Sequence, residues 1–506
     1  MQQFIDAEQV TLLSFKHYPM LRAFFEEHGL FQLFDTLLPK KVHPQLSHAH
    51  SILFLLCTCL TPRFQSRVTP DDLDLEIIFG PGPEAEDFTE VTMNETLLAI
   101  EEYGEGRLFS QVVSHLGQHV PLAWETLHRD TIYFSLAGEV DDGQAVHIKT
   151  VPAYENDSPW KLQVLSFLVN VHGFPLAIEV NQDSLTNSLL ENTTFDSIFI
   201  RDSFFYTKKN IATFPKRWVS YVPEKLAHCL PTLEPLFVDS ELEGYKVYGL
   251  DSSYGGVAQR WILVFSQKKY DRMEKTLQRN QEKQLLDAKA RSRLLQEQTF
   301  ASEEDALRAA KKLIARWPLL KVEVKITKTK LFSCSLTYGK DPLALGEACK
   351  KIGRYILATN DLSLGDDQVL QIYKNHKAVE RGLRFLTSGN LTLTPLSQKQ
   401  PECFGALGFV MSVSLLVYAL LEKQVRASLA KRNETIHIQN GGPASFRDNA
   451  NPTLRKIFTI FDNLGSTLLT MPGGEKLLIR SSLPPEVRKV LSLLGPVYEQ
   501  AFTRSE

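Results

Sequence analysis

The chain reads as a mixed α/β protein, and three observations predict it. Through residue 122 apolar residues recur at helical spacing; from about residue 124 they fall into short strand-length runs; between 226 and 345 strands are interrupted by a long, charged helical stretch. With 506 residues, 43% of them hydrophobic and 23% charged, the chain can bury a large core in several units, which excludes fibrous and intrinsically disordered classes.

Taken in order, LRAFFEEHGLFQLFDTLL and SILFLLCTCL are apolar on one face or all round, and MNETLLAIEEYGEGRLFSQVVSHL keeps a 3.6-residue period. These make residues 1–122 an all-helical N-terminal domain, with PGPEAED as a loop. LHRDTIYFSLAGEV, LQVLSFLVNVHG and FPLAIEVNQ then predict three neighbouring strands of a mixed sheet, the last two joined by a hairpin turn. A short helix, the strand DSIFIRDS and the strand KRWVSYVPE complete a β-β-β-α-β-α-β order over residues 123–225. Residues 226–345 form an inserted β-plus-helical subdomain: YKVYGLDSS and RWILVFSQ are strands, and the charged helical run from Lys268 stops at Pro318. The sheet resumes over 346–430, where GRYILATND is a strand and Asp366 or Asp367 begins a helix reaching to about Leu386. Residues 431–506 close the chain as a helical tail.

Net charge is only −3, yet it is unevenly spread. Residues 1–142 carry 8 Lys/Arg against 22 Asp/Glu, residues 268–330 carry 17 against 9, and the stretch after Glu380 carries 15 against 9. A polyanion is therefore expected to meet the later half, while the acidic N-terminal domain suits packing against another subunit; contact with DNA through one basic helix face is the alternative there. Six cysteines without a CxxC pair fit a reducing compartment and give no zinc or disulfide framework. MQQFIDAEQV lacks the basic stretch and apolar run of a secretory leader, so a cytoplasmic protein is expected. The uncharged run Phe404 to Leu421 just reaches spanning length, but it is short, contains Gly, Ser and Tyr, and stands alone; it reads as a buried core helix, with no membrane partner.

Three carboxylates carry the functional argument. Asp130 interrupts one apolar strand run, Asp202 ends another, and Glu380 sits on the helix after GRYILATND. A charge in a half-buried strand is costly unless it is paired or ligates something. Hard oxygen ligands suit Mg²⁺ or Mn²⁺, and two such ions held together activate a water or hydroxyl at a phosphodiester. Around Glu380, Tyr373, His376, Leu383 and Thr387 share one helical stripe, and Arg381 and Arg384 flank the acid where phosphates are held. Each acid also has a plainer reading: a strand-edge charge for Asp130, a cap for the helix near Thr207 for Asp202, a solvated helix charge for Glu380. His43, His48 and His50 match no common metal spacing and are assigned no role, and Trp261 and Trp317 read as core aromatics rather than stacking platforms.

LHRDT, SIFIRDSFF and ILATNDLSLGDDQVLQIYKNHKAVERGLRFL resemble the three catalytic blocks of DDE insertion-sequence transposases, the group named for its Tyr-Arg-Glu-Lys motif; PTLRKIF at 452–458 also matches. The resemblance covers almost the whole chain and implies a ribonuclease H-like core holding two Mg²⁺, replaceable by Mn²⁺, on Asp130, Asp202 and Glu380. It implies hydrolysis at the terminal inverted repeats, then attack of the freed 3′ hydroxyl on target DNA, performed by a homodimer on double-stranded DNA at the nucleoid. Tyr373 matches the motif's tyrosine, a phosphate contact. His376 stands where the motif has arginine, Thr387 where it has lysine, and Ser203 where a basic residue or glycine is expected. Lys374, Lys377, Arg381 and Arg384 are the other DNA-binding candidates. The competing readings are a DNA-binding relic, another ribonuclease H-like nuclease, and an interaction arm at 268–317, which lacks sustained heptads.

Overall fold

The structure is a computed structural model that describes residues 9–38, 46–61, 68–137, 147–150, 162–170, 172–181, 196–201, 203–229, 237–374, 403–439, 446–471 and 474–503, without the side chains of 129–137, 147–150, 162–164, 181, 227–229 and 446. The fold is mixed α/β, helices with a large mixed sheet. It divides into two units, Met1–Phe199 with Asn375–Glu506, and Ile200–Lys374. In chain order the strands are β1 (Gln9–Ser14), β2 (Thr126–Ala137), β3 (His147–Thr150), β4 (Leu162–Asn170), β5 (Pro175–Asn181), β6 (Ile198–Arg201), β7 (Arg217–Val222), β8 (Val238–Asp239), β9 (Tyr245–Tyr254) and β10 (Val257–Ser266). They continue with β11 (Thr299–Phe300), β12 (Leu320–Lys328), β13 (Phe332–Lys340), β14 (Arg354–Thr359), β15 (Ile436–Gln439), β16 (Phe446–Asn449), β17 (Gly465–Thr470) and β18 (Lys476–Arg480).

The first unit is organised around the helix Phe404–Arg432. Its most apolar 18-residue window has mean hydropathy 2.2 and is 94% buried, because the helices His48–Leu60, Glu90–Tyr103, Glu105–Leu116 and Pro485–Leu494 and strand β5 pack around it. Length and composition would let this helix cross a membrane; here it is buried inside the first unit. Small residues let neighbours come close: a Cβ on Gly408 would lie 3.2 Å from both Leu165 of β4 and Val180 of β5. Its C-terminal part is polar and caps a neighbour, with Gln424, Ser428 and Arg432 donating to the carbonyls of Leu494, Leu493 and Ser492 at the end of the helix Pro485–Leu494.

Both ends of the chain meet in this unit. β1 pairs antiparallel with β17 from Gln9↔Thr470 to Ser14↔Gly465, and β17 pairs with β18. Buried Asp74 accepts from Ser466 at 2.5 Å and from Arg480 at 2.8 Å, and Tyr498 donates to Glu27 at 2.7 Å. The sequence reading had helices alone over 1–122 and 431–506; the structure adds β1 to the first and β15 to β18 to the second. These strands are four to six residues long and only partly buried, too short for a period of two to stand out beside longer helical patterns.

β5, β4 and β2 lie side by side, antiparallel, with β3 against the far end of β2. Asn170 makes the hairpin between β4 and β5, its Oδ1 accepting from the backbone N–H of His172 and Phe174, each at 3.0 Å. The chain entering β6 runs beside the chain entering β2: Ile198 N–H donates to the Glu125 carbonyl at 2.9 Å, and Ser197 Oγ donates to the Trp124 carbonyl at 2.5 Å.

In the second unit β7, β14, β10, β9 and β8 are successive antiparallel neighbours. After β10 the chain leaves this sheet through the 30-residue helix Gln267–Gln296 and builds a small sheet in the order β11-β13-β12. Alternate residues of β12 and β13, Val324, Ile326, Cys334 and Leu336, pack with Leu295, Ala306 and Ala310 of the helices Gln267–Gln296 and Glu303–Ile314. Lys321, Glu323, Lys325 and Thr327 on the other face of β12 are exposed. Trp317 is buried, its Nε1 donating to Asp287 at 2.9 Å, and Trp261 is buried with Nε1 donating to Tyr206 at 2.8 Å. Both tryptophans are core residues.

Filling the gap at Gly408 tests the packing of the central helix. Gly408→Leu should destabilise the protein by about 1–3 kcal/mol through overpacking against Leu165 and Val180. Unchanged thermal unfolding of this variant would show that the helix is not packed as described.

Candidate functional site

The Glu380 motif begins at the end of β14, where three consecutive polar side chains seal the strand against the start of β7. Thr359 Oγ1 donates to the Trp218 carbonyl at 2.7 Å, Asn360 accepts from Trp218 N–H at 2.8 Å while donating to the Lys216 carbonyl at 3.0 Å, and Arg217 bonds Asp361 at 3.1 Å. Asp361 also accepts from the Ser363 backbone and hydroxyl, at 3.1 and 2.5 Å. Burial opposes ionisation of Asp361, but the bonds from Ser363 and Arg217 outweigh it and hold the carboxyl below its usual value.

A helix then starts at residue 366, as Asp366 and Asp367 predict, and continues through residue 374. Gln368 accepts from Gly365 N–H at 2.9 Å, the return half of a capping box. The first turn is docked on the sheet by charge: Asp366 bonds Arg260 of β10 at 2.5 Å, and any side chain at Gly249 of β9 would collide with that carboxylate. Asp367 accepts from Ser240 and, at 3.0 Å, from Gln371, which also donates to Glu241 at 2.8 Å.

Directly paired residues of antiparallel strands share a face. Gly249 and Val247 of β9, Ile262 and Val264 of β10 and Tyr355 of β14 therefore lie on the face that receives the helix. Two turns further along this helix stand two of the sequence-predicted DNA contacts, Tyr373 and Lys374. The Tyr373 ring lies 6.5 Å from that of Tyr355, and the Lys374 ammonium lies 4.3 Å from the Tyr245 ring and 5.2 Å from the Tyr355 ring. Lys269, in the first turn of the helix Gln267–Gln296, reaches the same Tyr355 ring at 5.2 Å, and Tyr221 of β7 stacks parallel to it at 5.9 Å. Tyr355, Tyr221, Tyr245 and Lys269 were not singled out in the sequence. They come from four separate elements, and only the sheet register brings them together.

Asp130 lies in β2 with Phe167 of β4 as its register partner; its side chain is outside the described residues. Asp202 follows the last residue of β6, Arg201, whose guanidinium lies 4.7 Å from the Phe205 ring, and is itself outside the described residues. Glu380, His376, Lys377, Arg381, Arg384 and Thr387 also fall outside them. Among the described residues no three His, Cys, Asp or Glu side chains are grouped to hold a metal ion. His48 is buried and bonds Thr96 at 3.0 Å, and His50 bonds Ser47 at 2.9 Å; His43 is not described.

The family described as Domain of unknown function (DUF4277) matches residues 10–114, which run from β1 into the helix Glu105–Leu116 and include none of the three acids. No curated protein matches the chain.

The Asp361 seal has a pH signature. Its folded pKa lies below the unfolded value of about 3.9, so its contribution is present above that value and is lost as pH falls through the folded pKa. Asp361→Asn should cost roughly 1–2 kcal/mol at neutral pH and flatten the fall in melting temperature between about pH 5 and 3. Parallel pH profiles for wild type and variant would refute this role.

Proposed function

We propose that the protein is a DNA transposase with a ribonuclease H-like catalytic core, cutting at the terminal inverted repeats of its insertion sequence and joining the 3′ hydroxyl ends to target DNA. The observation that carries the reading is the pairing at the entry of β2 and β6, where Ile198 N–H meets the Glu125 carbonyl. Asp130 stands five positions beyond Glu125 and Asp202 four beyond Ile198 in the sequence, so both acids follow this pairing after similar steps. Support also comes from the third block. The helix begun at 366 is anchored by Asp366 and Asp367 and carries Tyr373 and Lys374 ahead of Glu380 in the sequence.

The donor set fits a hard divalent cation: three carboxylates, with neither thiol nor imidazole among them. Asp130, Asp202 and Glu380 would hold two Mg²⁺, which when bound supply Lewis-acid stabilisation at the phosphodiester. The chain's own basic residues do the positioning. Tyr373 and Lys374, followed by Lys377, Arg381 and Arg384, hold backbone phosphates so that the scissile one faces the acids, and His376 takes the place of the motif's arginine. Double-stranded DNA is the partner, held by a homodimer, and the setting is the cytoplasm at the nucleoid.

The test uses duplex DNA carrying the inverted repeats that flank the gene, Mg²⁺, and a target plasmid. Wild type should release 3′ hydroxyl ends and join them; Glu380→Gln should lower both by at least about a hundredfold, more than loss of an outer-sphere partner costs. Specific binding without cutting, in Mn²⁺ as well as Mg²⁺, would identify a DNA-binding relic, consistent with His376, Thr387 and Ser203. Cutting without joining and without end specificity would point to another nuclease of the same core.

A further inference from the structure

We propose that the outward face of the sheet β1-β17-β18 is a docking surface for a second copy of this chain. This deepens the homodimer part of the reading above and does not depend on strand cutting.

Directly paired residues of antiparallel strands share a face. The register Val10↔Leu469↔Leu477 and Leu12↔Thr467↔Ile479 places these six residues on one face of the sheet, and Thr11↔Leu468↔Leu478 and Leu13↔Ser466↔Arg480 on the other. The second face is turned to its own unit: Ser466 is buried, and Ser466 and Arg480 both donate to buried Asp74. The first face is exposed. Val10 is 59% exposed, Leu12 75%, Leu477 44% and Ile479 46%, with half-buried Leu469 and Thr467 between them.

An antiparallel sheet with one face in water carries polar side chains there, alternating with the buried ones. Five of these six outward residues are aliphatic, the sixth is Thr467, and none is charged. In β18 the alternation is lost altogether, since Leu477, Leu478 and Ile479 follow one another and make both faces apolar. β1 and β18 are also the edges of this sheet among the described residues. Proteins blunt such edges with charge or cover them, and this face has no charge.

Area and chemistry select the occupant. The four most exposed side chains leave on the order of 400 Å² of aliphatic surface in water, the scale that marks an interaction surface. A standard interface takes about 800 Å² from each partner, as an apolar core within a polar rim. The face supplies that core, and exposed Gln9 and Lys476 at one end of the sheet begin the rim. A second identical face, brought up about a two-fold axis, sets aliphatic on aliphatic and buries no charge. A nucleic acid would need cations on this face, and it has none.

Full-length wild type, Leu12→Lys and Ile479→Lys are compared by sedimentation equilibrium without DNA. Leu343→Lys, at a residue 80% exposed in the second unit, is the control. Wild type and Leu343→Lys should be dimers in the micromolar range. Leu12→Lys and Ile479→Lys should dissociate at least about a hundredfold more readily, because the two-fold axis puts each new ammonium into the interface twice. Diluted to monomers, all four should melt together, since every substituted side chain is exposed. Wild type that stays monomeric would overturn the proposal, as would dimers that both face variants leave intact. A face variant that melts lower as a monomer would show that the chain covers this face itself, and binding of phosphatidylcholine vesicles by monomeric wild type, lost in Leu12→Lys, would show a lipid surface; either result removes the second copy. Monomers that still cut and join DNA ends leave the transposase reading standing without this surface, and dimers that do neither leave the surface standing without that reading.

Discussion

Burial of the helix Phe404–Arg432 is the constraint on which the first unit depends. An uncharged run of this length cannot stay exposed in water, and its burial needs neighbours on every side. The chain supplies them from both of its ends: N-terminal helices, the β4–β5 hairpin and the C-terminal helix Pro485–Leu494. Once those segments are committed to one core, the pairing of β1 with β17 and the buried Arg480–Asp74 bond follow as short-range consequences. The ion pair is not an independent source of stability. Arg480 also reaches Glu76, and Asp74 caps the helix Leu75–Phe79 through Ile77 N–H, so its charge is met from several directions at once.

What the sequence made legible is what local pattern controls. The hairpin of β4 and β5, the strand carrying Asp130, the strand ending before Asp202 and the helix start at Asp366 all came from runs whose period or punctuation is contained within about ten residues. The partnership of the chain termini was not legible. β1 is six residues with no buried position, and what fixes it is the register with β17, some 450 residues away. The same holds at the candidate site. Tyr373 and Lys374 were visible because they belong to a contiguous motif, whereas Tyr355 reads as an ordinary strand aromatic and Lys269 as one basic residue in a charged helix. Their relation exists only after β14, β10 and β9 pair and the helix Gln267–Gln296 leaves β10.

The two lysines bear on the uneven charge of the chain. The basic stretch 268–330 looks like a solvated helical hairpin, and much of it is: Lys321 and Lys325 lie on an exposed strand face, and Lys321 is paired with Glu323 at 3.6 Å. Exposed pairs of that kind are worth little and say little about function. Lys269 differs from them in physical setting, because burial penalises its charge and the helix end beside it carries the same sign. A charge gradient along a sequence thus points to a region without separating its solvated charges from one, such as Lys269, that is held against the local field.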